Sequence, residues 1–142
     1  MVTKLKVVTV FMIGVLMLLA VGNQSARAKN LLASGKFVTI ADHTTLGTVE
    51  IFQKDNRTYV RLTDDFSTQK GPDLKVLLHK QNNPQSYDQG DYVLLGNLKN
   101  LKGTQVYEIP EGVVLDDYAS VVVWCQKFNV TFGAAKLENP ER

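Results

Sequence analysis

The chain has 142 residues, with 16 Lys and Arg against 14 Asp and Glu, two His, one Trp and a single Cys. Its basic residues are scattered, which gives no footing for nucleic-acid binding. One cysteine excludes an internal disulfide, so the core must hold by packing alone.

The first element is a targeting segment. Lys4 and Lys6 precede a mainly apolar run from Val7 to Val21, and Ala26-x-Ala28 follows. This is the order of a secretory signal: positive start, apolar stretch, small-residue cleavage site. The run is short for a spanning helix, which needs roughly 20 residues. Residues 1–28 are therefore expected to be removed, leaving residues 29–142 as one extracytoplasmic domain, periplasmic or secreted. Retention of the segment as an anchor is the one way in which a membrane enters this reading. Cleavage takes away Lys4, Lys6 and Arg27 and no acid, so a net charge of +2 becomes −1.

The mature part reads as short strands divided by turn signals. "GKFVTI" (35–40) and "TVEIFQ" (48–53) are strands flanking the loop "ADHTTLG". Asp55-Asn56 marks a hairpin turn into "TYVRLTD" (58–64), whose Val60 and Leu62 alternate with Tyr59, Arg61 and Thr63. Pro72 cannot donate to a ladder and so stands at the entrance to "LKVLLHK" (74–80), with His79 expected at a strand end facing solvent. A polar loop (81–92) leads to "YVLLGNL" (92–98) and "TQVYEIP" (104–110). "EGVVLDDY" (111–118) is a connector or one helical turn. "ASVVVWC" (119–125) and "FNVTFGAAKL" (128–137) are the last strands. No segment of the mature part sustains a 3.6-residue period. The pattern predicts an all-β fold, a single antiparallel sandwich or barrel-like domain.

The strand 119–125 is apolar on both faces, which predicts a central, doubly covered position. Ala119, Val121, Val123 and Cys125 share one face; Val122 and Trp124 share the other. Cys125 stands at the polar end of its strand, beside Gln126 and Lys127, where a mouth of the fold would let solvent or a partner reach it. A thiol there has two readings: a redox group, whose thiolate a nearby cation such as Lys127 would favour, or a small packed hydrophobe. Lys127 shares the thiol's face if the strand continues unbroken. A thiol–disulfide cycle needs a second sulfur, which must come from a partner protein, a small thiol or a second copy. The acids Asp64, Asp65, Asp73, Asp116 and Asp117 read as strand-ending turn residues rather than metal ligands. Phe37, Phe52, Tyr59, Phe66, Tyr107, Trp124, Phe128 and Phe132 read mainly as core and strand-pair aromatics.

The blocks "GKF" (35–37), "DHTTLGTVEI" (42–51), "VRLTDDF" (60–66), "GPDLKVLL" (71–78), "LGNLKNLKGTQVYEIP" (95–110) and "YASVVVWCQKFNVTFGAAKL" (118–137) run in order over nearly the whole mature chain. Together they resemble the DM-thirteen domain family, described as an electron-transfer domain. The resemblance implies a β-sandwich-like extracytoplasmic domain with a characteristic cysteine, which falls on Cys125, acting as a free thiol or holding a prosthetic group such as haem. His43 or His79 could supply the imidazole opposite such a haem, with His43 ahead because it lies in a shared block; His43 and Lys127 would set the environment of the thiol. The alternative is a secreted ligand- or protein-binding module with Cys125 as packed core.

Overall fold

The computed structural model describes residues 30–140, so the expected signal segment lies outside the described residues. Ten strands and one 3-10 turn follow in order. They are β1 (Leu31–Thr39), β2 (Thr45–Leu46), β3 (Thr48–Lys54), β4 (Arg57–Leu62), β5 (Ser67–Thr68), β6 (Leu74–His79), β7 (Tyr92–Asn97), β8 (Gln105–Glu108), the turn Leu115–Asp117, β9 (Ser120–Cys125) and β10 (Val130–Lys136). The all-β expectation is met, and the choice between sandwich and barrel falls toward the barrel.

Eight strands form one antiparallel sheet in the order β7-β6-β9-β10-β1-β3-β4-β8. β1 turns the corner: Leu31–Lys36 pairs with β3, while Phe37–Thr39 pairs with β10. It begins four residues before the expected Gly35, because a neighbouring ladder extends it. The sheet curls nearly shut, and Lys99 reaches from the end of β7 to the carbonyl of Val106 on β8. Gly96 of β7 lies opposite the Tyr107 ring. Bringing the two edge strands this close shields part of the ladders that would otherwise be open to another chain.

The hairpin between β3 and β4 follows the sequence closely. Asp55 and Asn56 have φ of 50° and 58°, the two left-handed positions of a type I′ turn. That turn sets the register Val49↔Leu62 and Ile51↔Val60, and these four side chains are wholly buried. β9 is central as expected, between β6 and β10, with all six residues buried. Val121, Val123 and Cys125 join the barrel interior, while Val122 and Trp124 pack outside with Leu77 and Ala134.

β10 carries a bulge at Phe132, where pairing with β9 steps from Thr131↔Trp124 to Gly133↔Val123. An extra residue re-aims the strand locally. Gly133 is needed beside it, since a Cβ there would lie 2.5 Å from the Cβ of Thr45. The Thr45 hydroxyl donates to the Phe132 carbonyl at 2.9 Å and shares a 2.8 Å hydrogen bond with the Thr68 hydroxyl. The short β2–β5 ladder is thereby fastened across one end of the barrel. Neither strand is visible in the sequence pattern: two-residue ladders leave no periodic trace.

Candidate functional site

Because every ladder is antiparallel, the loops fall alternately at two ends. The β2–β5 region, Ser67–Asp73, Leu98–Thr104 and the β9–β10 turn share one end, and Cys125 closes β9 there. Its backbone pairs with Leu74 on β6 and Val130 on β10. The expectation of an accessible thiol is overturned: Cys125 has 0% exposure. Leu74 and Phe132 belong to the same interior cluster, and the chain folds over the strand end through a 3.0 Å hydrogen bond from the Gln126 N–H to the Asp73 carbonyl. A strand end is open only when the loops leave it so, and here a loop covers it.

Next to this cover lies a cleft of about 300 Å³, lined by the segments Gly71–Leu74 and Asn97–Leu101. Leu74, 8% exposed, separates it from the Cys125 layer.

Lys127 does not share the face of Cys125. The strand stops at Cys125, and residues 126–129 form a turn closed by the Asn129 N–H donating to Gln126 O at 3.2 Å, with Asn129 at φ 53°. Lys127 is exposed there, its ammonium 5.7 Å from the centroid of the Phe128 ring. Phe128, expected in the core, is 63% exposed.

His43 does come to the Cys125 end of the barrel. Its ring stacks on Phe132 with centroids 3.9 Å apart and planes within 6°. Phe132 belongs to the interior cluster that holds Cys125, so the histidine is linked to the thiol's surroundings through a buried ring.

A haem held by Cys125 does not fit these residues. A thiolate ligand must present its sulfur to the iron, and this side chain has no exposed surface among packed apolar neighbours. Among the described residues no group of three or more His, Cys, Asp or Glu is placed to hold a metal ion. Asp65 acts as a turn residue: it accepts from Thr63 Oγ1, and from the N–H and hydroxyl of Thr48 at 2.9 Å each. Those bonds, the Thr63 hydroxyl foremost, hold its carboxyl below the usual value of 3.8.

His79 is a second correction. It is fully buried, not solvent-facing: Nδ1 accepts the Gln81 N–H at 3.0 Å, and Nε2 lies 3.0 Å from the Ser86 carbonyl. A ring that accepts at Nδ1 and faces a carbonyl with Nε2 is the neutral Nε2–H tautomer. The loop from Lys80 to Asp91 folds back over the outside of the sheet, and Lys80 N–H donates to Asp91 O at 2.9 Å. Tyr87 then stacks on Trp124, centroids 4.3 Å apart, with Tyr92 beside them. The indole N–H of Trp124 donates to Asn129 Oδ1 at 3.1 Å. The sequence reading missed Tyr87, an aromatic in an otherwise polar loop that follows a histidine, and Tyr92 at the start of β7.

The sequence family described as electron transfer DM13 matches residues 36–137, which includes both His43 and Cys125. The chain belongs to the electron transfer DM13 family. No match is found among curated proteins or among solved structures. Membership brings electron transfer as the described role of the DM13 domain.

Proposed function

We propose that this DM13 domain is an extracytoplasmic electron carrier whose working group is the thiol of Cys125. The observation that carries this reading is the family match, which spans the only cysteine in the chain. The cleft beside Leu74 supports it, because displacement of the Gly71–Leu74 cover would open a path from that cleft to the sulfur. The thiolate attacks a disulfide of a partner protein or small thiol, forming a mixed disulfide and releasing one thiolate. A second thiolate then attacks the mixed disulfide, releasing Cys125 and re-forming a disulfide. That disulfide joins the two outer partners; a second thiolate of the donor then resolves it, releasing the acceptor's other thiolate, so that two electrons have passed from donor to acceptor and Cys125 ends as it began.

The burial of Cys125 favours a second reading, in which the thiol is packed core and the module binds rather than reacts. Thiol titration with a soluble aromatic disulfide, in native buffer and across denaturant, separates them. The redox reading expects native labelling faster than global unfolding, and loss of thiol–disulfide exchange in Cys125→Ser with its circular dichroism spectrum unchanged. Labelling that occurs only at the global unfolding rate overturns the redox reading, as does full exchange activity in a folded Cys125→Ser chain.

A further inference from the structure

Phe132 sits where three parts of the Cys125 end meet. It is the bulged residue of β10 and has no partner of its own on β9, so its side chain can be re-aimed without breaking a β9 pair. One face of its ring carries the His43 imidazole, nearly parallel and 3.9 Å away between centroids. Its tip points at Gly71, where a Cβ would lie 3.0 Å from Phe132 Cζ and 2.8 Å from Leu74 Cδ2. The missing side chain at Gly71 thus lets Phe132 and Leu74 close on one spot.

Both side chains belong to the surroundings of the thiol. Leu74 is the β6 residue opposite Cys125, and Val130, two residues before Phe132, is the β10 residue opposite it. Phe132 and Leu74 share the interior cluster with Cys125, and Leu74 also lines the cleft outside. A ring withdrawn from Gly71 takes away the backing of the Gly71–Leu74 segment, and the cleft then has a way inward past Leu74. The imidazole is seated to resist that movement. Its loop is a tight turn, with Ala41 at φ 54° and the His43 N–H donating to Ile40 O at 3.3 Å. Ile40 in turn packs against the outer cluster around Trp124. His43 is half-buried and Phe132 buried, so the histidine is the member of the stack that a partner in solution reaches first.

We propose that Phe132 is a gate on Cys125 and that the imidazole of His43 holds it shut by stacking. The gate rests on the reading of Cys125 as the reacting group, and adds what controls access to it. With the ring in place the thiol is sealed. Withdrawal of the ring gives a minority open form, through which a disulfide reaches the sulfur while the sheet stays folded. His43 then acts through its flat ring, not through its charge or as a ligand. A partner that draws His43 off Phe132 opens the path as it docks.

The test is labelling of Cys125 in the full chain by a soluble aromatic disulfide, at urea concentrations below the unfolding transition. Local opening exposes little surface, so its labelling rate is nearly flat in urea, whereas access through global unfolding rises steeply. His43→Ala is expected to speed labelling roughly three- to tenfold, the factor that one aromatic pair supplies, with the flat urea dependence kept. His43→Phe restores a flat ring without the imidazole nitrogens and is expected to return the rate to that of the unsubstituted chain. Gly71→Ala is expected to speed labelling too, because its methyl pushes back the Phe132 and Leu74 tips; Gly71 is not at positive φ, so the backbone accepts alanine. A gain in His43→Ala that climbs with urea in step with unfolding marks plain destabilisation and overturns the gate. So does a His43→Phe chain that labels as fast as His43→Ala. Labelling ahead of unfolding that neither His43→Ala nor Gly71→Ala changes overturns the gate and leaves Cys125 as the reacting group. Labelling of every chain only at its global unfolding rate overturns both.

Discussion

Tyr87 shows how one side chain reports on its surroundings. Burial against Trp124 pushes its phenol up to about 12, even though its hydroxyl bonds to Thr131. The group is raised in the folded state, so folding disfavours the phenolate. The stability it contributes is whole below the ordinary value of 10 and is lost as pH rises from 10 toward about 12. Tyr87→Phe is expected to flatten alkaline unfolding over that interval, read as the denaturant midpoint against pH. It also removes the bond to Thr131, so stability at neutral pH falls modestly, by about 1 kcal/mol. An unchanged alkaline slope would place the phenol in solvent. None of this is legible in "QNNPQSYDQGDY", where Tyr87 is one residue of a polar loop. Its partner Trp124 is a different case, because alternation along "SVVVWC" already sends it to the face opposite Cys125. Cys125 itself divides: its face is legible, but the loop lying across the strand end is not.

At the scale of elements, the connection between β7 and β8 depends on Gln105. Its Oε1 accepts from Lys99 N–H, Asn100 N–H and Tyr107 O–H at 3.1, 3.2 and 2.7 Å. Its Nε2 donates to the carbonyls of Asn100 and Gly103 at 2.8 and 3.3 Å. One buried amide thus orders the loop that brings the two edge strands together. Gln105→Leu keeps the volume but strands these groups. It is expected to cost about 2–4 kcal/mol in urea unfolding, since each orphaned buried group costs about 1–3 kcal/mol and water recovers part of it. A loss below about 1 kcal/mol, the net worth of a single hydrogen bond, would mean that the loop orders itself. Tyr107 joins this network, and burial raises its phenol as well. The strands on either side are readable from their apolar alternation and from Pro110. The role of Gln105 is not, because a lone Gln in a strand looks like any solvent-facing polar residue.

For the whole molecule, the barrel interior and the plug at its end form one packed unit. Thr45 rests on Gly133, and the β2–β5 ladder it anchors runs beside the bulge at Phe132, on which His43 stacks. Gly133→Ala would drive a methyl to within 2.5 Å of the Thr45 Cβ. The expected cost is about 1–3 kcal/mol in thermal or urea unfolding. It should come with faster labelling of Cys125, because the plug is displaced at the end where that thiol is covered. Full stability with unchanged labelling would show that the plug moves independently of the barrel.

Residue types and their order determined much of this protein: an all-β domain, the hairpin turn at Asp55-Asn56, β9 as the central strand, and membership in an electron-transfer family. These follow from signals that are local or that recur along the chain, namely period-two alternation, turn chemistry and an ordered set of blocks. Only the tertiary structure decided that the sheet curls nearly shut, that His79 is buried while Phe128 is exposed, that Lys127 leaves the face of Cys125, and that the thiol is sealed. Each of those depends on where a loop lands on residues distant in sequence, and the free energy that holds it there comes from contacts that no short window of the chain contains.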